Sequence, residues 1–186
     1  MDKKEKIMHT TYVLIAQQGV HNTPVSQIAQ QAGVAAGTIY HYFLSKEQLL
    51  AAVYAYLKER MGQALRRDIK PEMTFQETFA QYWKNMLDFY LNDKDAFEFL
   101  ELCASSPVLP AGIKEQNVYH YNDVLEFLQS GMLRGILNTM PLPLMLALVH
   151  GSIVITLRFL QDYQQQDIQH ILDAALHSCW KSVSAS

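Results

Sequence analysis

The chain has 186 residues, 49% apolar and 18% charged, with a formal net charge of −3; that is enough apolar surface for a core and too little charge for a disordered chain. Its two cysteines, Cys103 and Cys179, lack CxxC spacing, which argues against a disulfide framework or a zinc site and suits a reducing compartment. The charge is unevenly divided: residues 1–67 carry eight Lys and Arg against four Asp and Glu, and residues 68–186 carry seven against fourteen, so the basic end is expected to meet something anionic.

Helical periodicity runs through the whole chain, and no useful β-alternation appears. A first helix places Ile7, Thr11, Leu14 and Ile15 on one face and stops near Gly19. "NTPVSQIAQQAG" predicts a second, short helix with Thr23 as N-cap and Pro24 at its first position, ended by Gly33. A third spans about Gly37 to Phe43, and Ser45 with Gln48 opens a capping box for a long fourth helix carrying Leu49, Leu50, Val53, Leu57 and Met61. "DIKPEMT" around Pro71 is the clearest punctuation. We expect three segments: residues 1–46, a connecting helix over 47–70, and a helical body over 71–186.

In the body, Phe75, Phe79, Tyr82, Trp83, Met86 and Tyr90 mark one helix, and "DKDAFEFLELCASSP" a shorter one. A continuous helix is expected over "GIKEQNVYHYNDVLEFLQSGMLRGIL". No formal charge occurs between Arg134 and Arg158. By length that run could span a bilayer, but its Asn, His and two prolines make a helix buried on most sides the better reading. The last helix repeats Ile168, Ile171, Leu172, Ala175, Leu176 and Cys179 at steps of three and four.

Two short helices joined by a glycine turn are the plan of a helix-turn-helix, whose second helix enters the major groove. Ile39 and Phe43, four apart, face the core together, so Tyr40, His41 and Tyr42 point elsewhere. "TPVSQIAQQAGVAAGTIYHYFLSKEQLL", Thr23 to Leu50, resembles the tetracycline-repressor (TetR/AcrR-type) family of bacterial transcription regulators, and the resemblance extends over about residues 5–55. It implies an all-α protein, with an N-terminal three-helix helix-turn-helix DNA-binding domain and a C-terminal helical bundle for ligand binding and dimerisation. Carried over by position, Ala35, Ala36, Gly37 and Tyr40 face base edges, while Thr23, Thr38, His41, Tyr42 and Lys46 meet phosphates. Ala35 departs from the family's frequent serine and leaves the third helix without a side-chain cap, a loss of about 1 kcal/mol. The recognition helix holds no Arg, Asn or Gln to read a base with two hydrogen bonds, so contact with thymine methyls is expected.

The aromatic and methionine-rich body suits a pocket with apolar walls and a few polar tips. Trp83, Met86, Phe97, Cys103, Tyr119 and His150 are the expected lining. Asp88, Asp93, Asp95, Glu98 and Glu101 read as a solvated acidic face; one of them turned inward would favour a cationic ligand. Two-sided apolar helices at the C-terminal end imply a second subunit, with Leu146, Ile153, Leu157, Ile168, Leu172, Ala175, Leu176 and Cys179 at a four-helix interface. No nucleophile with its base, metal-ligand spacing or phosphate loop presents itself, so neither enzymatic activity nor a cofactor or metal is expected.

The expectation is a cytoplasmic homodimer that binds a pseudo-palindromic double-stranded DNA operator, more as repressor than activator, and is released by a small apolar effector. The alternative is a helical module that binds a small molecule or protein without sequence-specific DNA binding. Steep loss of DNA affinity with salt separates the two.

Overall fold

The computed structural model describes residues 1–162 and 167–185. The described residues form helices and turns, with a single isolated bridge between Leu137 and Ser184. The helices are α1 (Lys3–Gln18), α2 (Val25–Ala32), α3 (Ala36–Tyr42), α4 (Lys46–Leu65), α5 (Phe75–Asn92), α6 (Lys94–Ser105), α7 (Ile113–Gln116), α8 (Asn122–Leu133), α9 (Leu142–Asp162) and α10 (Ile168–Val183). The continuous helix expected over residues 112–137 is divided among α7, a 3₁₀ turn at Val118–Tyr121 and α8. Two compact units result, and neither is one stretch of chain: Met1–Arg60 with Asp93–His120, and Met61–Asn92 with Tyr121–Ser186. Pro71, where we expected the boundary, falls inside the second unit; folding returns α6 to the N-terminal helices.

In the first unit α1 packs on both α2 and α6, and α2 packs on α3. The reason is visible on α1, whose buried face comprises Ile7, Met8, Thr11, Tyr12, Leu14 and Ile15, too wide for α2 alone to cover. A reciprocal cap between Asp2 and Glu5 starts that helix, with bonds of 3.0 and 2.8 Å. Gly19 and Gly33, at φ 79° and 65°, end α1 and α2 in a backbone region that glycine enters without strain. Asp93 is turned inward, not solvated. One carboxylate oxygen accepts from the Ala96 N–H and so caps α6; the other accepts from Tyr12 Oη at 2.9 Å and from the Arg60 guanidinium at 2.8 Å. That carboxylate is spent on α1 and α4, which overturns its reading as a site for a cationic ligand.

In the second unit α9 is flanked by α5, α8 and α10. Phe75 stacks on Phe127 with ring centroids 4.1 Å apart, and Trp180 meets Phe79 edge-on at 5.1 Å. The Asn85 amide donates to the carbonyls of Leu65 and Arg67 at 2.9 and 2.7 Å, closing the C-terminal end of α4. The expectation that the uncharged run is buried on most sides is not met. Met145, Ile153, Val154 and Leu157 are buried, but Leu144, Leu148, Ile155 and Phe159 stand exposed at 49, 41, 71 and 43%. The helix is long and apolar enough to cross a membrane by length and composition alone, and the core of this unit covers one face of it.

A candidate nucleic-acid interface on the first unit

The geometry begins at the turn between α2 and α3. The Gly33 N–H returns to the carbonyls of Ala29 and Gln30, and the Val34 N–H to Ala29. Ile28, Ala29 and Ala32 seal α2 inward, and Ile39 and Phe43 do the same for α3, at 1% and 4% exposure. As expected, α3 starts at Ala35 without a side-chain cap. Burying Ile39 and Phe43 contributes roughly 1.5–3 kcal/mol each, more than the missing cap of about 1 kcal/mol, so seven residues suffice for a stable helix.

With Ile39 and Phe43 inside, Ala35, Ala36, Gly37, Tyr40, His41 and Tyr42 are all exposed and Thr38 is half-buried. The His41 and Tyr42 rings meet edge-on at 5.4 Å. These seven residues make one surface of small groups and hydroxyls, as the sequence indicated.

Of the nine expected contacts, Thr23 is turned inward and Lys46 has a partner within the chain. Thr23 is fully buried, its hydroxyl donating to the Gly19 carbonyl at 2.8 Å and accepting from the Gln18 amide at 3.2 Å. Neither does it cap α2: Pro24 occupies that place with no side-chain bond. A hydroxyl four residues after a helix end finds that end's free carbonyl first. Lys46 donates its ammonium to the Val20 carbonyl at 2.5 Å. Burial lowers its pKa from the usual lysine value, Glu47 partly opposing, so this ammonium ties α4 to the turn after α1. Ser45 does open α4: its hydroxyl accepts from the Gln48 N–H at 3.3 Å, while the Gln48 side chain accepts from the Leu44 N–H at 3.1 Å.

Two lysines of α1 also lie near the turns that flank α3. The Lys6 ammonium lies 3.5 Å from where a Cβ on Gly33 would stand, and the Lys4 ammonium 6.0 Å from the centre of the Phe43 ring. The only advance signal was the basic count of the N-terminal end; nothing in the spacing ties residues 4 and 6 to a turn nearly thirty residues on.

The residues expected to line a pocket fall in both units. Phe97 and Cys103 are fully buried in the first. Burial pushes the Cys103 thiol up to about 12, and the nearby Lys58 ammonium down to about 8, although Cys103 and Glu101 favour its charge. Tyr119 is 65% exposed and lies on His120 with centroids 4.0 Å apart. The 3₁₀ turn carries it outward. In the second unit Trp83 is buried and donates its indole N–H to Ser152 Oγ at 2.8 Å. His150 Nε2 shares a hydrogen bond of 2.9 Å with Tyr90 Oη, and Met86 is buried. These contacts set a short polar seam between α5 and α9 within an apolar wall.

Of the expected interface residues, Ile153, Leu157 and Cys179 are sealed in the second unit at 3, 1 and 3% exposure, so they pack its own core. Leu146, Leu172, Ala175 and Leu176 are half-buried, and Ile168 is 52% exposed.

A glycine-turned helix pair buried on one side, offering an uninterrupted polar and small-residue face on the other, defines a helix-turn-helix protein. The chain belongs to the TetR family: the pattern of bacterial regulatory proteins of the tetR family matches residues 7–53, and that of the tetracyclin repressor-like C-terminal domain matches residues 53–185. A tetR family transcription regulator from Shewanella sp. PV-4 superposes with a TM-score of 0.90 at 26% identity, covering 100% of both chains. The regulator FadR from Bacillus subtilis, solved with stearoyl-CoA, superposes at 0.71 and 24% identity over 94% of this chain and 96% of its own. In sequence, the fatty acid metabolism regulator protein of Bacillus subtilis is 44% identical over 81 residues, 42% of this chain and 40% of that protein. An HTH-type transcriptional regulator of Haemophilus influenzae is 31% identical over 106 residues, 57% of each chain. The aligned stretches thus span about half the length of these relatives or less.

Proposed function

We propose that this chain is a cytoplasmic, ligand-responsive DNA-binding transcriptional regulator, which acts as a homodimeric repressor on a pseudo-palindromic operator. The observation that carries the reading is the outer face of α3: Ala35, Ala36, Gly37, Tyr40, His41 and Tyr42 stand together in solvent although three are aromatic. A helix that exposes rings while burying Ile39 and Phe43 has a face suited to a groove. Tyrosine hydroxyls bond phosphate oxygens, and small residues let the backbone approach base edges. Ala35, Ala36, Gly37 and Tyr40 meet bases; Thr38, His41 and Tyr42 meet the backbone.

Two such heads bind together only if a twofold axis spaces them by roughly one helical turn, about 34 Å. Leu144, Leu148, Ile155 and Phe159 recur at steps of four, seven and four on the exposed side of α9, with Ile168 exposed on α10. This stripe is the apolar surface that a second copy covers. The effector is an apolar, chain-like molecule of the acyl-thioester class. Support comes from the relatives named for fatty-acid regulation and from the apolar wall of the second unit with its Trp83–Ser152 and Tyr90–His150 polar seam. The regulator acts by binding and catalyses no reaction of its own.

The test is duplex binding by the purified protein. Affinity falls steeply between about 50 and 200 mM salt, and at fixed salt a long-chain acyl-CoA releases the duplex. A protein that ignores DNA at low salt sinks the regulator reading. One that binds DNA but ignores every acyl-CoA sinks the effector class alone.

A further inference from the structure

The exposed stripe of α9 has a symmetry about its own middle. Leu148 and Ile155 stand equally far along the helix from the Gly151–Ser152 peptide bond, and Leu144 and Phe159 do the same one turn further out. The helix itself, Leu142–Asp162, has its midpoint at Ser152. Steps of three and four from Leu148 through Gly151 to Ile155 put the glycine on the stripe, and a Cβ built there meets nothing within 4 Å. Ser152 is turned the other way, accepting from the Trp83 indole and donating to the Val149 carbonyl. The outer face of α9 is thus apolar on both sides of a bare centre.

Such a face is complementary to a second copy of itself. Rotation about a twofold axis through the midpoint sets Leu148 of one protomer on Ile155 of its partner, and Leu144 on Phe159, so each exposed group is covered and each contact occurs twice. Gly151 meets its own counterpart on the axis, where the missing side chain leaves room for the two backbones. Charge selects the direction. In an antiparallel pair the positive N-terminal end of each α9 lies beside the negative C-terminal end of the other. A parallel pair brings like ends together and sets the two exposed Arg158 side chains at one level. No formally charged residue occurs from Leu142 to Leu157, so the crossing buries no charge from α9. On the homodimer reading above, we propose that the subunits meet by an antiparallel crossing of their α9 helices centred on Gly151.

Cysteine crosslinking in the full chain reads this register directly, because the native Cys103 and Cys179 are both buried. Helix axes about 8–10 Å apart leave roughly 3.5–5.5 Å between facing Cα atoms, which overlaps the separation of about 4.4–6.8 Å that a disulfide spans. Gly151→Cys adds its atoms in open space and should become a covalent dimer on mild oxidation, seen on a non-reducing gel. Leu148→Cys alone should stay uncrosslinked, since two copies of that position lie about 10 Å apart along an antiparallel pair. Leu148→Cys combined with Ile155→Cys should crosslink. Gly151→Leu, which fills the centre, should raise the dimer dissociation constant in sedimentation by about tenfold or more. If the wild type sediments as a dimer while Gly151→Cys stays uncrosslinked, or Gly151→Leu dimerises as tightly as wild type, the crossing at Gly151 is wrong. A covalent dimer from Leu148→Cys alone overturns the antiparallel direction. A wild-type chain that sediments as a monomer removes the homodimer reading itself, and the register with it.

Discussion

Tyr42 and Tyr40 are close in sequence and serve different purposes if α3 lies in a groove. Tyr42→Phe removes one hydroxyl at a phosphate, and should weaken binding two- to tenfold, or about 0.5–1.5 kcal/mol, equally for all sequences. Tyr40→Ala should also relax base preference. Because the exposed part of α3 offers methyl-sized groups and no two-pronged amide or guanidinium, replacing thymine by uracil in a selected duplex should lower affinity at specific positions. Indifference to that replacement, with obligatory G·C pairs in the selection, would count against methyl readout. Lys58 makes a different point, about the cost of charge. Its folded pKa of about 8 lies below the unfolded value of about 10.4, so the unfolded chain holds this proton more tightly. The penalty is fully present below pH 8 and is relieved as pH rises towards about 10.4. Lys58→Met should therefore be more stable than wild type at pH 7, by up to about 3 kcal/mol, with the gap closing by about pH 10, as urea denaturation across that range would show.

Among the helices, α8 shows how a single small residue fixes a crossing. A Cβ on Gly131 would collide with the Phe75 ring and stand 2.9 Å from Leu137. Phe75 has little freedom to yield, being stacked on Phe127 with Arg134 above it at 5.7 Å. Gly131→Ala, which in an open helix would help by about 1 kcal/mol, should here cost 1–3 kcal/mol by overpacking. Thermal melting that rises in this variant would contradict the packing described. Most helices were legible from spacing, because apolar steps of three and four report a buried face directly. Breaks at Gly19, Gly33 and Ser45 were legible for the same local reason. The 3₁₀ turn at Val118–Tyr121 was not: its residues "VYHY" carry neither glycine nor proline, so no local signal marks the interruption that turns Tyr119 outward.

For the molecule as a whole, the exposed stripe of α9 sets the oligomeric prediction. Ile155, 71% exposed on that stripe, should on substitution by Glu convert a dimer to a monomer in sedimentation while leaving helix content unchanged. Operator binding should fall by far more than any single head contact contributes, since each head would then bind alone. A dimer that survives Ile155→Glu intact places the interface elsewhere. Sequence periodicity could not choose among the faces of this helix, because the run from Ile136 to Leu157 is nearly all apolar. Ile153 and Leu157 were therefore expected at an interface, yet they fill the core.

What the amino-acid order alone determined is local: helix content, the glycine-turned pair, the inward Ile39 and Phe43, and hence the outward Tyr40, His41 and Tyr42. Such properties follow from backbone preference and from the period of one helix, which neighbouring residues settle among themselves. Only the tertiary structure decided where the polar ends went: Thr23 to Gly19, Lys46 to Val20, Asp93 to Tyr12 and Arg60, and Lys4 and Lys6 to the turns that flank α3. A long polar side chain takes the strongest partner within reach, and that partner is set by which helix packs beside it.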